Sequence, residues 1–420
     1  MASHHQVSAW YSHCLENHEI CRKFATRPSL NQWYPTRLLD LVDGNSSFIK
    51  LVNTAQSNLQ GPYLTLSHRW GDIPTLILKS DALADFQRGI SLAELPKTFR
   101  EAAVVTRRLK CRYLWIDSLC IIQDSRTDWA AESMKMNMVY SSSQLNLSAT
   151  ASQNSSGGLF RARRLDEVWP LFLDDIPLPS GKTGRAVLID YELIQQGIEE
   201  MPLNLRAWVL QERLLPPRLL HFGQDQLFWE CQQRMACEML PSGIPDEILK
   251  KNLTIKTLVP AVFAERNRKF LGHEPVPSEL PYHMWNQIVE KYTACGITKH
   301  EDKLIAMSGL AETFSRMVDD TYLAGMWRSQ IPISLLWKVK ELSQRDGSPS
   351  FRPQAYRAPS WSWASVEGYV IPAGSSRSGY KVIAEIHDVA TTGLTADNPF
   401  GQITGGFIEL KGRILKPLRQ

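Results

Sequence analysis

The chain has 420 residues, 43% of them hydrophobic and 21% charged, with thirteen Trp, which excludes global disorder and allows two or three domains with sizeable cores. Forty-seven basic against 43 acidic residues leave a net charge of +4, too mild and too scattered for a dedicated nucleic-acid surface. Seven cysteines without a CxxC pair, and an opening MASHHQVSAW that lacks basic and apolar leader regions, point to a reducing cytosolic or nuclear compartment, the cytoplasm being expected, and no apolar run approaches the roughly 18 residues of a membrane span.

From Val7 to Phe24, Trp10, Cys14, His18 and Cys21 follow one another at steps of four, four and three, which places them on one helical face. Cys14, His18 and Cys21 offer three metal-ligating side chains. Structural zinc takes four and no fourth is local, so a packed helix face with no metal is expected. YLTLSHRWGD, residues 63–72, begins as a strand and runs into a loop at Gly71-Asp72. LPKTFREAAVVTRRLK, residues 95–110, predicts an amphipathic helix with Pro96 at its first position and Phe99, Ala102, Ala103, Thr106 and Leu109 on one stripe.

YLWIDSLCIIQD, residues 113–124, predicts a buried strand, yet Asp117 and Cys120 sit among its apolar residues. An ionised carboxylate in an apolar interior is costly unless paired, so Asp117 marks a strand end, a polar network or a site. Ser125 and Asp128 then match a capping box that opens a helix over DWAAESMKMNMVY, with Trp129, Ser133, Met136 and Tyr140 on one face and Glu132 beside it. SQLNLSAT, residues 143–150, reads as a third strand. Alternation of strand and helix favours parallel strands joined by right-handed crossovers, and the polar loop from Asn154 to Gly158 ends this unit.

Residues 159–200 hold two short strand-like pieces, VWPLFLDDI and RAVLIDY. NLRAWVLQERLLPPRLLHFGQDQLFWEC, residues 204–231, predicts a helix capped by Asn204, a stop at Pro216-Pro217 and a hairpin around Gly223-Gln224-Asp225. Within it Arg206, Gln211, Glu212 and Arg213 read as helix exterior or an inter-domain ion-pair network. Residues 241–320 look helical, and AYRAPSWSWASVEGYVI, YKVIAEIHDVA and GFIELKGRILK look like antiparallel strands, with Trp361 and Trp363 facing one packed side. The expected divisions are an N-terminal helical segment at 1–34, an α/β core at 35–165, an α+β extension at 166–350 and a β-rich segment at 351–420.

PTRLLDLV at 35–42, YLTLSHRWG at 63–71, the stretch 95–124, DWAAESMKMNMVYSSSQLNLSAT with the later GGLF, RAWVLQERLLPPRLLHF with LFWEC, and YRAPSWSWASVEG together resemble the fungal HET-domain (heterokaryon incompatibility) family in order and spacing. The resemblance spans roughly residues 10–370. It implies an effector of fungal non-self recognition that triggers growth arrest or programmed cell death, working with a protein partner of an incompatibility system or by self-association. The HET domain is in turn distantly similar to TIR domains, some of which cleave NAD. The fold class so implied is α/β, a TIR/flavodoxin-like parallel sheet core with an added α+β C-terminal portion; no resident cofactor is implied, and NAD is a candidate substrate.

In a parallel sheet ligands bind at the carboxyl ends of the strands, and there the sequence brings Ser67-His68-Arg69-Trp70 beside Asp117-Ser118-Leu119-Cys120. Three readings compete. Cys120 is a nucleophile with His68 as base and Asp117 as orienting carboxylate, against an inert core cysteine. Alternatively Ser67, Arg69, Trp70, Gly71 and Trp129 line a nucleotide cleft, Arg69 near phosphate and a Trp stacked on a ring, while Glu132 or Asp117 acts on the ribose; the plainer reading of Glu132 is a solvated helix position. In the third, these polar groups fix the loops and the domain acts by assembly.

Overall fold

The computed structural model describes residues 2–25, 33–42, 46–71, 75–162, 171–177, 181–251, 279–341, 347–374, 382–395 and 398–412. Asp72, and the part of the helical expectation that falls between 252 and 278, lie outside the described residues. The chain divides into two compact units, Met1–Leu205 with Glu212–Thr257 and Arg206–Gln211 with Leu258–Gln420.

The first unit opens with α1 (Ala2–Asn17), α2 (Glu19–Ala25), β1 (Arg37–Asp40), β2 (Phe48–Asn53) and β3 (Tyr63–Ser67). It continues with α3 (Leu83–Arg88), β4 (Ile90–Ser91), α4 (Lys97–Arg108), β5 (Tyr113–Ile116), α5 (Asp117–Cys120), α6 (Arg126–Ser133), α7 (Met136–Ser141) and β6 (Leu145–Ser148). A separate hairpin, β7 (Leu171–Pro177) with β8 (Thr183–Leu188), precedes α8 (Val209–Leu214), β9 (Arg218–Phe222), β10 (Leu227–Cys231) and β11 (Met235–Cys237).

Nine strands form one sheet in the order β11-β10-β9-β6-β3-β5-β1-β2-β4. The pairs β3–β5, β3–β6 and β6–β9 are parallel, so the parallel strands, ranked by chain order, run 2-1-3-4 across the sheet, the flavodoxin-type order. Antiparallel ribbons extend it on both sides, β1, β2 and β4 beyond β5 and β10 and β11 beyond β9. The sheet is therefore mixed rather than purely parallel. Its centre is buried at every position of β3, β5, β6, β9 and β10, as strands covered on both faces require.

The α4 stripe of Phe99, Ala102, Ala103, Thr106 and Leu109 is buried, and each large apolar side chain so removed from water contributes roughly 1.5–3 kcal/mol. Pro96 is the N-cap of α4 rather than its first residue. The expected helix after Ser125 is two, α6 and α7: Lys135 N bonds Glu132 O only three residues back, and this tighter turn breaks the α-helical ladder. Asn204 does not cap α8, since its side chain donates to Ile198 O at 2.7 Å and the helix starts at Val209.

A polar network runs through the sheet interior. Asn146 Nδ2 donates to Ser67 Oγ at 2.9 Å and to Glu212 O at 3.0 Å, and Thr65 Oγ1 donates to Asn146 Oδ1 at 2.9 Å. Further along, Thr150 Oγ1 meets His221 Nδ1 at 3.2 Å, His221 Nε2 meets Glu230 Oε2 at 3.0 Å, and Arg213 bonds Glu230 at 3.0 Å and Glu199 at 2.9 Å. Glu212 and Arg213 are buried, which corrects the helix-exterior reading of RAWVLQER. Burial alone works to lower the Arg213 pKa, but Glu199 and Glu230 outweigh it and hold the guanidinium charged.

The second unit contains helices Leu280–Ala294 and Ile305–Val318. Trp285, Phe314, Tyr322 and Trp327 form its aromatic core, the Phe314 and Trp327 ring centroids 5.0 Å apart. Trp361 and Trp363 are not on a strand: Trp363–Ser365 is a 3₁₀ turn capped by the Ser362 side chain. The Trp363 indole donates to Gly325 O at 2.9 Å. Gly325 has φ +97°, and a Cβ there would lie 2.7 Å from the Trp363 ring, so only glycine fits. The C-terminal hairpin, Glu385–Gly393 with Ile403–Lys411, is antiparallel as expected.

Two predictions test these buried charges. Arg213→Met leaves Glu199 and Glu230 without their guanidinium and should cost roughly 3–5 kcal/mol in urea unfolding; a loss below about 1 kcal/mol contradicts the network's role. In the second unit, burial pushes the Lys303 ammonium from 10.5 down to about 8, against the pull of Glu367. From about pH 8 to 10.5 the unfolded chain therefore holds a proton that the folded chain has released, and stability rises with pH across that window. The wild-type minus Lys303→Met difference in unfolding free energy should rise from pH 8 to 10, and a flat difference contradicts this.

Candidate functional site

Parallel registers Leu66 with Ile116 and Ser67 with Ser148 bring the exits of β3, β5 and β6 to one end of the sheet. β5 stops at Ile116 and Asp117 opens the turn of α5, so the carboxylate marks a strand end. Its Oδ1 accepts the Ser118 N–H at 2.7 Å and its Oδ2 accepts the Trp70 indole N–H at 2.9 Å. His68 Nδ1 lies 3.5 Å from Asp117 Oδ1. The His68 ring lies parallel to Trp70, centroids 6.4 Å apart, and edge-on to Phe99 at 4.8 Å. His68 is buried, whereas the Asp117 side chain remains 28% exposed.

The other proposed cleft residues are engaged with neighbouring protein groups. Ser67 Oγ accepts from Asn146 inside the sheet. Arg69 Nη1 donates to Gln153 Oε1 at 2.9 Å, and Gly71, at φ +69°, is packed so closely that a Cβ would meet Asn154 Cβ at 2.4 Å. The loop bearing Gln153 and Asn154 is itself pinned to α4, where Glu101 Oε2 accepts the Leu159 and Phe160 N–H groups and Thr98 Oγ1 accepts from Gly158. Trp129 is partly buried against the core.

Glu132 is buried rather than solvated. It accepts from Thr36 Oγ1 at 2.6 Å and pairs with Lys135 Nζ at 2.9 Å, while Lys135 also donates to Thr36. Cys120 is buried in the core, and burial pushes its thiol up to about 12, the opposite of what a thiolate nucleophile requires. Arg37 Nε donates to Cys120 O at 2.7 Å and its guanidinium pairs with Asp128, whose Oδ2 also accepts the Ile122 N–H at 2.8 Å. Ser125 caps α6 as expected, accepting from Asp128 N at 3.2 Å.

Thus the fold brings His68, Trp70 and Asp117 together, and it commits Ser67, Arg69, Gly71, Glu132 and Cys120 to other contacts. The sequence does not mark Thr36 as the partner of Glu132, Arg37 with Asp128 as the pair beside Cys120, or Gln153 and Asn154 as the neighbours of Arg69 and Gly71; PTRLLDLV and DWAAES among the resembling blocks hold three of these residues. Burial, with the Glu212 and Asp117 carboxylates nearby, pushes the Tyr140 phenol well above its ordinary value, so it stays a neutral hydroxyl beside this cluster. A cleft of about 520 Å³ lined by Val7, Val105, Leu109, Leu220, Phe222 and Leu227 shares no residue with the cluster.

Among the described residues no helix is long and apolar enough to cross a membrane. No curated protein and no solved structure matches the chain. Residues 63–212 match the family model described as Heterokaryon incompatibility protein (HET), and that span holds the parallel strands β3, β5 and β6 with the loops at their carboxyl ends. The chain thus carries a HET domain, of the heterokaryon incompatibility kind, over residues 63–212.

Proposed function

We propose that this chain is an effector of fungal heterokaryon incompatibility, the response in which fusion of unlike cells ends in growth arrest or programmed cell death. It acts by binding protein, either a second copy or a partner of the incompatibility system, through the loop face at the carboxyl ends of the parallel strands. The observation that carries this reading is the Trp70 indole hydrogen bond to Asp117, which locks the β3 and β5 exits into one shape. A preformed surface loses little entropy on binding.

Two enzymatic readings draw less support. A thiol hydrolase needs an accessible thiolate, and Cys120 is buried with its pKa raised. NAD cleavage needs a carboxylate that reaches a ribose, and Glu132 is held by Thr36 and Lys135. Asp117, partly exposed beside Trp70 and His68, is the one candidate carboxylate left for that chemistry.

Regulated expression in a filamentous fungal host tests the proposal. Wild type should kill, Glu132→Gln and Cys120→Ala should still kill at matched abundance, and Asp117→Ala should not. If Asp117 only stabilises the loop, its loss costs roughly 1–3 kcal/mol and killing falls in step with protein level. Purified wild-type protein incubated with NAD should release no nicotinamide; release that Glu132→Gln or Asp117→Asn abolishes, together with killing, overturns the binding reading in favour of catalysis.

A further inference from the structure

We propose that Cys14, His18, Cys21 and Cys231 form a structural zinc site that fastens the N-terminal helices to the edge region of the sheet. Cys14 lies in α1, His18 at the break between the helices and Cys21 in α2, while Cys231 ends β10. Spacing alone offers three ligands; the fold supplies the fourth from more than two hundred residues away.

All four side chains are buried, and their ligand atoms lie within 4.8 Å of one another, with Cys231 Sγ 3.3 Å from His18 Nδ1. Donors about 2.0–2.3 Å from a tetrahedral zinc lie roughly 3.5–3.8 Å apart, so small side-chain adjustments complete the shell. Three thiols and one imidazole suit zinc, and a full set of four protein ligands marks a structural rather than a catalytic ion.

The charge balance points the same way. Zinc binds thiolates, so its entry displaces thiol protons to solvent, and a dication with three thiolates and a neutral imidazole carries a net −1. The buried Arg218 donates through Nε to Cys14 Sγ at 3.2 Å, and among the described residues no carboxylate pairs with it. Its +1 charge neutralises the loaded site. Packing around the site already joins α1 to β10 and the segment beyond it: the Trp10 ring lies 6.5 Å from Trp229, and its indole donates to Pro241 O at 2.8 Å.

Metal analysis of the full chain, purified under reducing conditions, should find about one zinc per chain. Cys231→Ser should lower that at least fivefold, and Cys295→Ser, in the other unit, should leave it unchanged. Replacement of zinc by Co²⁺ should give tetrahedral ligand-field bands with sulfur charge transfer. Should Cys231→Ser fail to fold, His18→Cys keeps four ligands and should hold the metal with stronger thiolate charge transfer. Chelation should raise amide exchange in residues 2–25. A reduced chain with less than about 0.1 zinc, one that binds neither Zn²⁺ nor Co²⁺, or zinc content indifferent to Cys231→Ser, overturns the proposal.

Discussion

The parallel registration of β3 between β5 and β6 is the constraint from which the candidate site follows. With Leu66 beside Ile116 and Ser67 beside Ser148, three chain exits must leave the sheet at one end. Three loops therefore converge there within hydrogen-bonding reach. Trp70 meets Asp117, Arg69 meets Gln153, and Gly71 admits Asn154. A one-residue slip of β5 would turn its side chains to the opposite faces and displace Asp117 from this convergence.

That registration is held partly by an interior that is unusually polar for a parallel sheet. Thr65, Ser67, Asn146, Ser148, His221 and Glu230 are all buried, and each would be costly without partners. The segment RAWVLQER supplies several: Glu212 offers its carbonyl to Asn146 and Arg213 offers its guanidinium to Glu230. Hydrogen bonds are directional where apolar contacts are not, so this network favours one register over its neighbours. The Arg213 charge of that motif serves the sheet interior rather than a solvent-facing helix.

The parts legible in the sequence are those decided locally. Strand-like runs marked β3 and β6 and a continuous apolar run marked β5, the stripe of Phe99, Ala102 and Ala103 marked α4, and an Asp amid apolar residues marked the end of β5. The shared location of His68 and Asp117 followed from alternation of strand and helix alone. What stayed hidden depends on partners distant in sequence. Glu132 reads as solvated until Thr36 arrives from ahead of β1, and nothing local marks Asp40 as the carboxylate that Arg112 reaches with two hydrogen bonds. Although burial works to raise its pKa, Arg112 and the Val42 N–H hold Asp40 low. The flanking antiparallel strands, the 3₁₀ turn at Trp363 and the approach of Cys231 to Cys14 are likewise set by tertiary packing.

The proposed function requires Trp70 and Asp117 to act as one unit in shaping the loop face. A double-mutant cycle with Trp70→Phe, Asp117→Asn and the pair, read both as killing in the fungal host and as unfolding free energy, tests it most directly. Either change alone should remove killing nearly as fully as both, with a coupling of roughly 0.5–3 kcal/mol in stability. Fully additive effects, or killing retained in Trp70→Phe at wild-type abundance, would contradict it.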